Sequence, residues 1–167
     1  ALPPRTHLHG YTNEAEALTA GTLDSHWHLN LDGKWRFCLY QKPADVEEGC
    51  LKPDWKDSDW DSIKVPGNWT MQGYDSPHYT NVQMPFIHQP PKVPEKNPTG
   101  VYRSCFTLPK GWKERRTVIH FGGVESAFFV FCNGSQVGFS KDSRTPVEFN
   151  LTPWIVSGKN NLTVVVI

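Results

Sequence analysis

From Gly33 onward, apolar and polar residues alternate along the chain. Trp35, Phe37 and Leu39 fall on one face with Arg36 between them, the period of two that a half-buried strand requires. The same pattern returns repeatedly. Residues 62–65 predict a short strand stopped by Pro66, because proline cannot donate to a ladder. Residues 101–108 place Tyr102, Phe106 and Leu108 on one side, and Pro109-Lys110-Gly111 then turns the chain. Residues 117–121 predict the next strand, ended by Gly122-Gly123. Residues 127–132 run into Asn133-Gly134, a pair that tolerates the positive φ of a two-residue hairpin, and 136–140 return. Segments 147–151 and 162–167 complete the set, separated by Ser157-Gly158-Lys159-Asn160-Asn161. Short strands at near-regular spacing, with turn chemistry between them, predict an all-β fold of the β-sandwich or jelly-roll kind.

Three stretches depart from this pattern. Residues 1–32 carry no sustained periodicity. Within them 12–19 fit a short helix, and the rest reads as an extended arm. Residues 54–61, Asp-Trp-Lys-Asp-Ser-Asp-Trp-Asp, form an acidic loop with Trp55 and Trp60 as anchors. Residues 70–100 hold Pro77, Pro85, Pro90, Pro91, Pro94 and Pro98 and few runs of strand length. So long a structureless stretch argues for a functional loop, and Tyr74, Tyr79, Met84, Phe86 and Ile87 argue that something covers it. The final strand pattern stops without a turn, which we read as an excised piece of something longer.

Composition narrows the functional classes. The chain has 167 residues, 38% of them hydrophobic and 20% charged, a globular composition with one domain as its prior. Seventeen basic residues balance seventeen acidic ones, so no net field favours nucleic acid or anionic lipid. No apolar run has the length needed to span a bilayer. Cys38, Cys50, Cys105 and Cys132 form no CxxC pair. Cys38, Cys105 and Cys132 sit in apolar strand patterns and are expected to be buried. The lack of a cysteine framework favours a reducing compartment, the bacterial cytoplasm over the periplasm. His26-Trp27-His28 and His7-Leu8-His9 each set two imidazoles on one strand face without an evident third metal ligand. A glycosidase needs two carboxyl groups flanking the scissile bond. Glu125, Asp142 and Glu148 lie beside strands, but their spacing selects no pair.

Three segments carry a family resemblance. The first is Val65-Pro66-Gly67-Asn68-Trp69-Thr70-Met71-Gln72-Gly73-Tyr74-Asp75, continuing through Tyr79-Thr80-Asn81-Val82 to Pro85. The second is Glu95-Lys96-Asn97-Pro98-Thr99-Gly100-Val101-Tyr102-Arg103. The third runs from Phe121-Gly122-Gly123-Val124-Glu125-Ser126 through Asn133-Gly134 to Asp142-Ser143-Arg144-Thr145-Pro146. With the strand that opens Leu31-Asp32-Gly33-Lys34-Trp35, they resemble the N-terminal domain of family-2 glycoside hydrolases. Tyr79-Thr80-Asn81-Val82 and Asp142-Ser143-Arg144 resemble the large bacterial β-galactosidase branch. The resemblance spans about residue 25 to the end.

The resemblance implies a galactose-binding-like jelly-roll over residues 25–167, incomplete at its C-terminal end, preceded by an arm at 1–24. It also implies a longer retaining enzyme acting on terminal β-galactosides such as lactose, whose catalytic glutamates lie on a separate barrel and not in this chain. A loop of the first domain contacts the galactosyl group in this family. That role carries to Asn81, with Val82 beside it as a second substrate-binding residue. A carboxamide both donates and accepts, so it can read a sugar hydroxyl in either sense. Magnesium, sodium and homo-oligomeric assembly are implied for the longer enzyme, and no residue here is assigned to a metal. Two other readings stay open: a free-standing carbohydrate-binding module using exposed Trp55, Trp60 or Trp69, and the same domain of a family-2 β-glucuronidase or β-mannosidase.

Overall fold

A computed structural model describes residues 1–6, 9–21, 23–77 and 91–167. Six strands form one sheet in the order β2-β1-β3-β8-β5-β6. They are β1 (Gly33–Tyr40), β2 (Asp61–Val65), β3 (Thr99–Thr107), β5 (Ala127–Cys132), β6 (Ser135–Lys141) and β8 (Lys159–Val166). The remaining two, β4 (Val118–Phe121) and β7 (Val147–Asn150), pair only with each other among the described residues. Every pairing is antiparallel. The all-β prediction holds, with the predicted strands displaced by only a few residues at their ends. The hairpin between β5 and β6 turns at Asn133 and Gly134 with φ of 52° and 81°, the left-handed pair this dipeptide tolerates.

The core lies between the large sheet and the β4–β7 pair. Trp35, Phe37, Ile63, Phe106, Phe128, Val130, Leu162, Val164 and Val166 come from the large sheet. Ile119 and Phe149 face them from β4 and β7. Phe149 stands edge-on to Phe128, with ring centroids 6.0 Å apart. Gly138 on β6 makes the room: a Cβ there would fall 2.6 Å from the Phe149 ring. Among the described residues, Trp35, Tyr102, Phe106 and Val164 line a concave stretch of the inner face between β4 and the turn at Trp69.

The outer face of the same sheet carries a second apolar cluster. Short 3₁₀ turns at Pro43–Asp45 and Glu48–Leu51, with the acidic loop after them, fold back over β1, β3 and β8. Cys50, Val101 and Val165 are buried there, with Trp55 and Trp60 packed around them. The Trp anchors thus do what the sequence suggests, and the loop acts as a lid. Beneath it Arg103 is 1% exposed. Its Nε donates to Asp57 Oδ2 at 3.0 Å, and its Nη1 donates to the Cys50 carbonyl and, at 3.2 Å, to Thr163 Oγ1. Arg36 on β1 donates to the carbonyls of Asp57 and Ser58, so two guanidinium groups hold the lid.

This lid corrects the cysteine expectation. Cys132 is buried, but Cys38 is half-buried and Cys105 is exposed. Cys105 falls on the outward side of β3 beyond the reach of the lid, where strand alternation alone cannot report cover. Cys50, outside any strand pattern, is fully buried under the lid. Burial pushes the Cys50 and Cys132 thiols up to about 11.

The N-terminal stretch is tied down on the β4–β7 side. The Leu2 N–H donates to the Glu148 carbonyl at 2.7 Å, and Arg5 forks onto the Glu148 carboxylate at 2.9 and 3.1 Å. The expected helix appears as α1 (Glu14–Thr19), N-capped by Asn13, whose Oδ1 accepts from Glu16 N at 2.9 Å. The Glu16 carboxylate accepts from the backbone N–H of His26 and of Thr12 and from the Thr12 hydroxyl. Those bonds favour its ionised form and lower its pKa to about 2. Trp27 stacks beneath the Arg115 guanidinium at 3.7 Å and packs on Trp112, joining the arm to the turn before β4.

Candidate functional site

The candidate site is built where β2 ends and β3 begins. After Pro66 a 3₁₀ turn, Trp69–Gln72, brings Trp69 down onto the core. Its ring lies 6.1 Å from that of Phe37 and directly over Gly100, where a Cβ would fall 2.5 Å from the indole. Glycine at 100 is therefore a packing requirement. The Gln72 carboxamide accepts from Lys64 N at 2.8 Å and donates to Lys64 O at 3.0 Å. It thereby satisfies both backbone groups of an edge-strand residue. Gly73, at φ 93°, closes the turn. Tyr74 then stands edge-on to Phe37 at 4.7 Å, and burial, with the Asp61 carboxylate nearby, pushes its phenol pKa up.

Two limbs leave this platform. The outgoing limb passes through Asp75, in left-handed backbone at φ 56°, to Pro77. The returning limb reaches β3 through Lys96 and Asn97, whose N–H donates to the Gln41 carbonyl at 3.0 Å. Lys96 Nζ meets Asp75 Oδ1 at 3.1 Å and bridges the limbs. Asn81 and Val82, the two expected substrate-binding residues, lie outside the described residues, as do Tyr79, Phe86 and Ile87.

The other candidates are not drawn into a site. Glu148 is engaged by Arg5, with His120 Nδ1 at 3.4 Å, on the face of β7 away from the core. Glu125 and Asp142 are exposed, and Asp142 starts the turn that closes with Thr145 N donating to its carbonyl. A retaining glycosidase would need its carboxyl groups about 5–5.5 Å apart and jointly facing a cleft. Among the described residues no group of three His, Cys, Asp or Glu could hold a metal ion. Trp55, Trp60 and Trp69 are partly buried and packed inward, so these three form no row of solvent-facing rings.

The roles of Gln72, Tyr74, Asp75 and Lys96 were not assigned from sequence. Each lies in a segment that carries the family resemblance, but the partners Lys64, Phe37 and the opposite limb are remote in sequence. The density of motif residues around a segment with no strand pattern was the available signal.

Among the described residues, eight antiparallel strands in two layers, with a lid on the outer face, define the class: a β-sandwich domain. The chain belongs to the family described as "Glycosyl hydrolases family 2, sugar binding domain", which it matches over residues 29–167. Among curated relatives, it is 49% identical to a β-galactosidase of Psychromonas ingrahamii over 160 residues, covering 96% of this chain and 15% of that protein. A β-galactosidase of Vibrio cholerae is 48% identical, covering 98% of this chain and 16% of that protein. The chain therefore spans about one-sixth of the length of these relatives. Among solved structures, a β-glucuronidase from an uncultured Clostridium sp. superposes with a TM-score of 0.62 at 24% identity. It covers 81% of this chain and 21% of that one. A β-glucuronidase of Bifidobacterium dentium gives 0.61 at 23%, covering 81% and 19%. These two likenesses establish the fold alone.

Proposed function

We propose that this chain is the non-catalytic first domain of a longer retaining β-galactosidase, and that its 78–90 segment contributes a substrate contact to an active site carried elsewhere in that enzyme. The observation that carries the reading is identity of 48–49% to β-galactosidases over nearly the whole chain. The β-glucuronidase neighbours share the fold at 23–24%. The platform supports the loop assignment. Trp69, Gln72, Tyr74 and the Asp75–Lys96 pair together fix both entrances to the segment that holds Asn81.

The inward packing of Trp55, Trp60 and Trp69 disfavours a free-standing module, whose sugar platform would need them bare. Expressed alone, residues 1–167 should turn over no chromogenic galactoside. They should also bind galactose more weakly than about millimolar, because a single carboxamide does not offset the entropy of fixing a sugar. The deciding experiment assays the longer enzyme on β-galactoside, β-glucuronide and β-mannoside, with Asn81→Ala beside it. We expect hydrolysis of the galactoside and a loss in kcat/KM on the order of tenfold for the variant, as removal of one hydrogen bond in a partly enclosed site would give. Preference for a glucuronide or mannoside, or unchanged kcat/KM in Asn81→Ala, would overturn the corresponding part of the proposal.

A further inference from the structure

We infer that Asn133 is a chemical modification site, a deamidation point that the native fold holds silent and that unfolding releases. Asn133 is followed by glycine, and no other asparagine of the chain has that neighbour. The neighbour matters because deamidation starts within the chain. The backbone nitrogen of the next residue gives its proton to solvent base and attacks the asparagine Cγ. A C–N bond forms, ammonia leaves, and a cyclic imide remains. Water then opens either imide C–N bond and leaves aspartate or isoaspartate. The net change is one water taken up and one ammonia released. Glycine has no Cβ to hinder its nitrogen and the widest backbone freedom to bring it round. In a mobile chain this dipeptide is therefore poised to react.

The folded hairpin removes that freedom. Asn133 Nδ2 donates to the Trp154 carbonyl at 2.9 Å and to Asn160 Oδ1 at 2.8 Å. Its Oδ1 accepts from the Asn161 N–H at 2.8 Å. Both amide hydrogens and the oxygen are thus engaged. The backbone is held as well, by the Asn133 N–H donating to the Asn161 carbonyl at 2.9 Å and by the left-handed turn at φ 52° and 81°. Ring closure needs Cγ to swing onto the Gly134 nitrogen, so the three side-chain bonds must break first.

The same network makes the product unwelcome. A carboxylate only accepts hydrogen bonds. At this position it would face the Trp154 carbonyl and Asn160 Oδ1, which are both acceptors. Asn160 cannot turn its amide to suit. It is 0% exposed, its Oδ1 also accepts from the Val156 N–H at 2.8 Å, and its Nδ2 donates to the Val156 and Gly158 carbonyls at 3.0 and 3.1 Å. The fold therefore suppresses the reaction and is weakened by its outcome, so a sustained unfolding leaves a permanent mark.

Peptide mapping of the longer enzyme tests this, with one sample kept folded and another unfolded in urea, both at the same alkaline pH. Deamidated peptide is resolved from its parent by mass and retention. Conversion at Asn133 should be at least about tenfold slower in the folded sample, the scale of breaking three neutral hydrogen bonds first. Equal rates, or no conversion in urea, would overturn the inference. Asn133→Asp makes one product directly. Hydrogen exchange over residues 152–160 of the longer enzyme should then be about three- to tenfold faster than in the wild type, as loss of the bonds to Trp154 and Asn160 would give. Unchanged exchange would overturn the claim that the product weakens the fold. The mapping uses the wild-type chain and decides the matter even where Asn133→Asp does not fold.

Discussion

Arg103 offers a sharp test because its two ends differ in exposure. The guanidinium side chain is 2% exposed, and its carboxylate partner Asp57 is 30% exposed. Removing either partner leaves a different residue in distress. In Asp57→Ala the buried cation keeps the Cys50 carbonyl and Thr163 but loses its counter-charge. Leaving a buried charge uncompensated costs about 3–5 kcal/mol. In Arg103→Met the Asp57 carboxylate can turn to water, and the main loss is the unpaired Cys50 carbonyl, about 1–3 kcal/mol. Removing the carboxylate should therefore cost more than removing the arginine. The double variant should lie near Arg103→Met alone, since the orphaned cation is then gone. The two single changes are thus strongly non-additive. Urea unfolding of residues 1–167 followed by tryptophan fluorescence measures all three, because Trp55 and Trp60 report on the lid. Equal costs for the single variants, or a cost below about 1 kcal/mol for Asp57→Ala, would refute the account of Arg103 as a buried cation that depends on the lid.

Three further outcomes follow from the same packing. Gly100→Ala places a methyl 2.5 Å from the Trp69 ring and 2.8 Å from Phe37. Chemical denaturation should show a loss of about 1–3 kcal/mol from overpacking. In the native protein at pH 8, a thiol reagent should modify exposed Cys105 first. Cys50 and Cys132, held up at about 11 by burial, should react only with unfolding, as mass mapping of the labelled peptides would show. Glu16 has a depressed folded value of about 2 against an ordinary 4.5, so its contribution is present above 4.5 and fades as pH falls from there towards 2. Proteolysis within 14–19 should accelerate across that window, and Glu16→Gln should show the faster cleavage already at pH 7.

The sandwich was legible because its strands obey a local rule. Trp35 and Phe37, or Phe128 and Val130, declare an inward face by spacing alone, and Asn133-Gly134 declares its own turn. What the rule could not declare is which outward faces are covered. Val101 and Arg103 lie on the side of β3 opposite Tyr102 and Phe106, and period two makes that side solvent. The lid reverses this, and it is assembled from 3₁₀ turns with no period to detect. The same blindness explains Cys50 and Cys105. At the candidate site the motifs marked the right stretch, but the bonds that shape it join residues 8 to 21 positions apart, as with Gln72 to Lys64 and Lys96 to Asp75. Pairing of that kind is a property of the folded chain and not of a window along it.

The sheet order has a consequence for how the molecule is made. β8 lies between β3 and β5, yet it follows both of them in sequence. During synthesis the β1–β2–β3 group and the β5–β6 hairpin can each pair locally. No described strand joins them until residues 159–166 have left the ribosome. Until then the edges of β3 and β5 are open to any strand nearby, including those of other nascent copies. A sheet whose central seam is closed by a strand that follows both of its neighbours in sequence has a high contact order and a late commitment step. Substitutions in β8 should accordingly reduce the yield of soluble protein out of proportion to their effect on the finished fold.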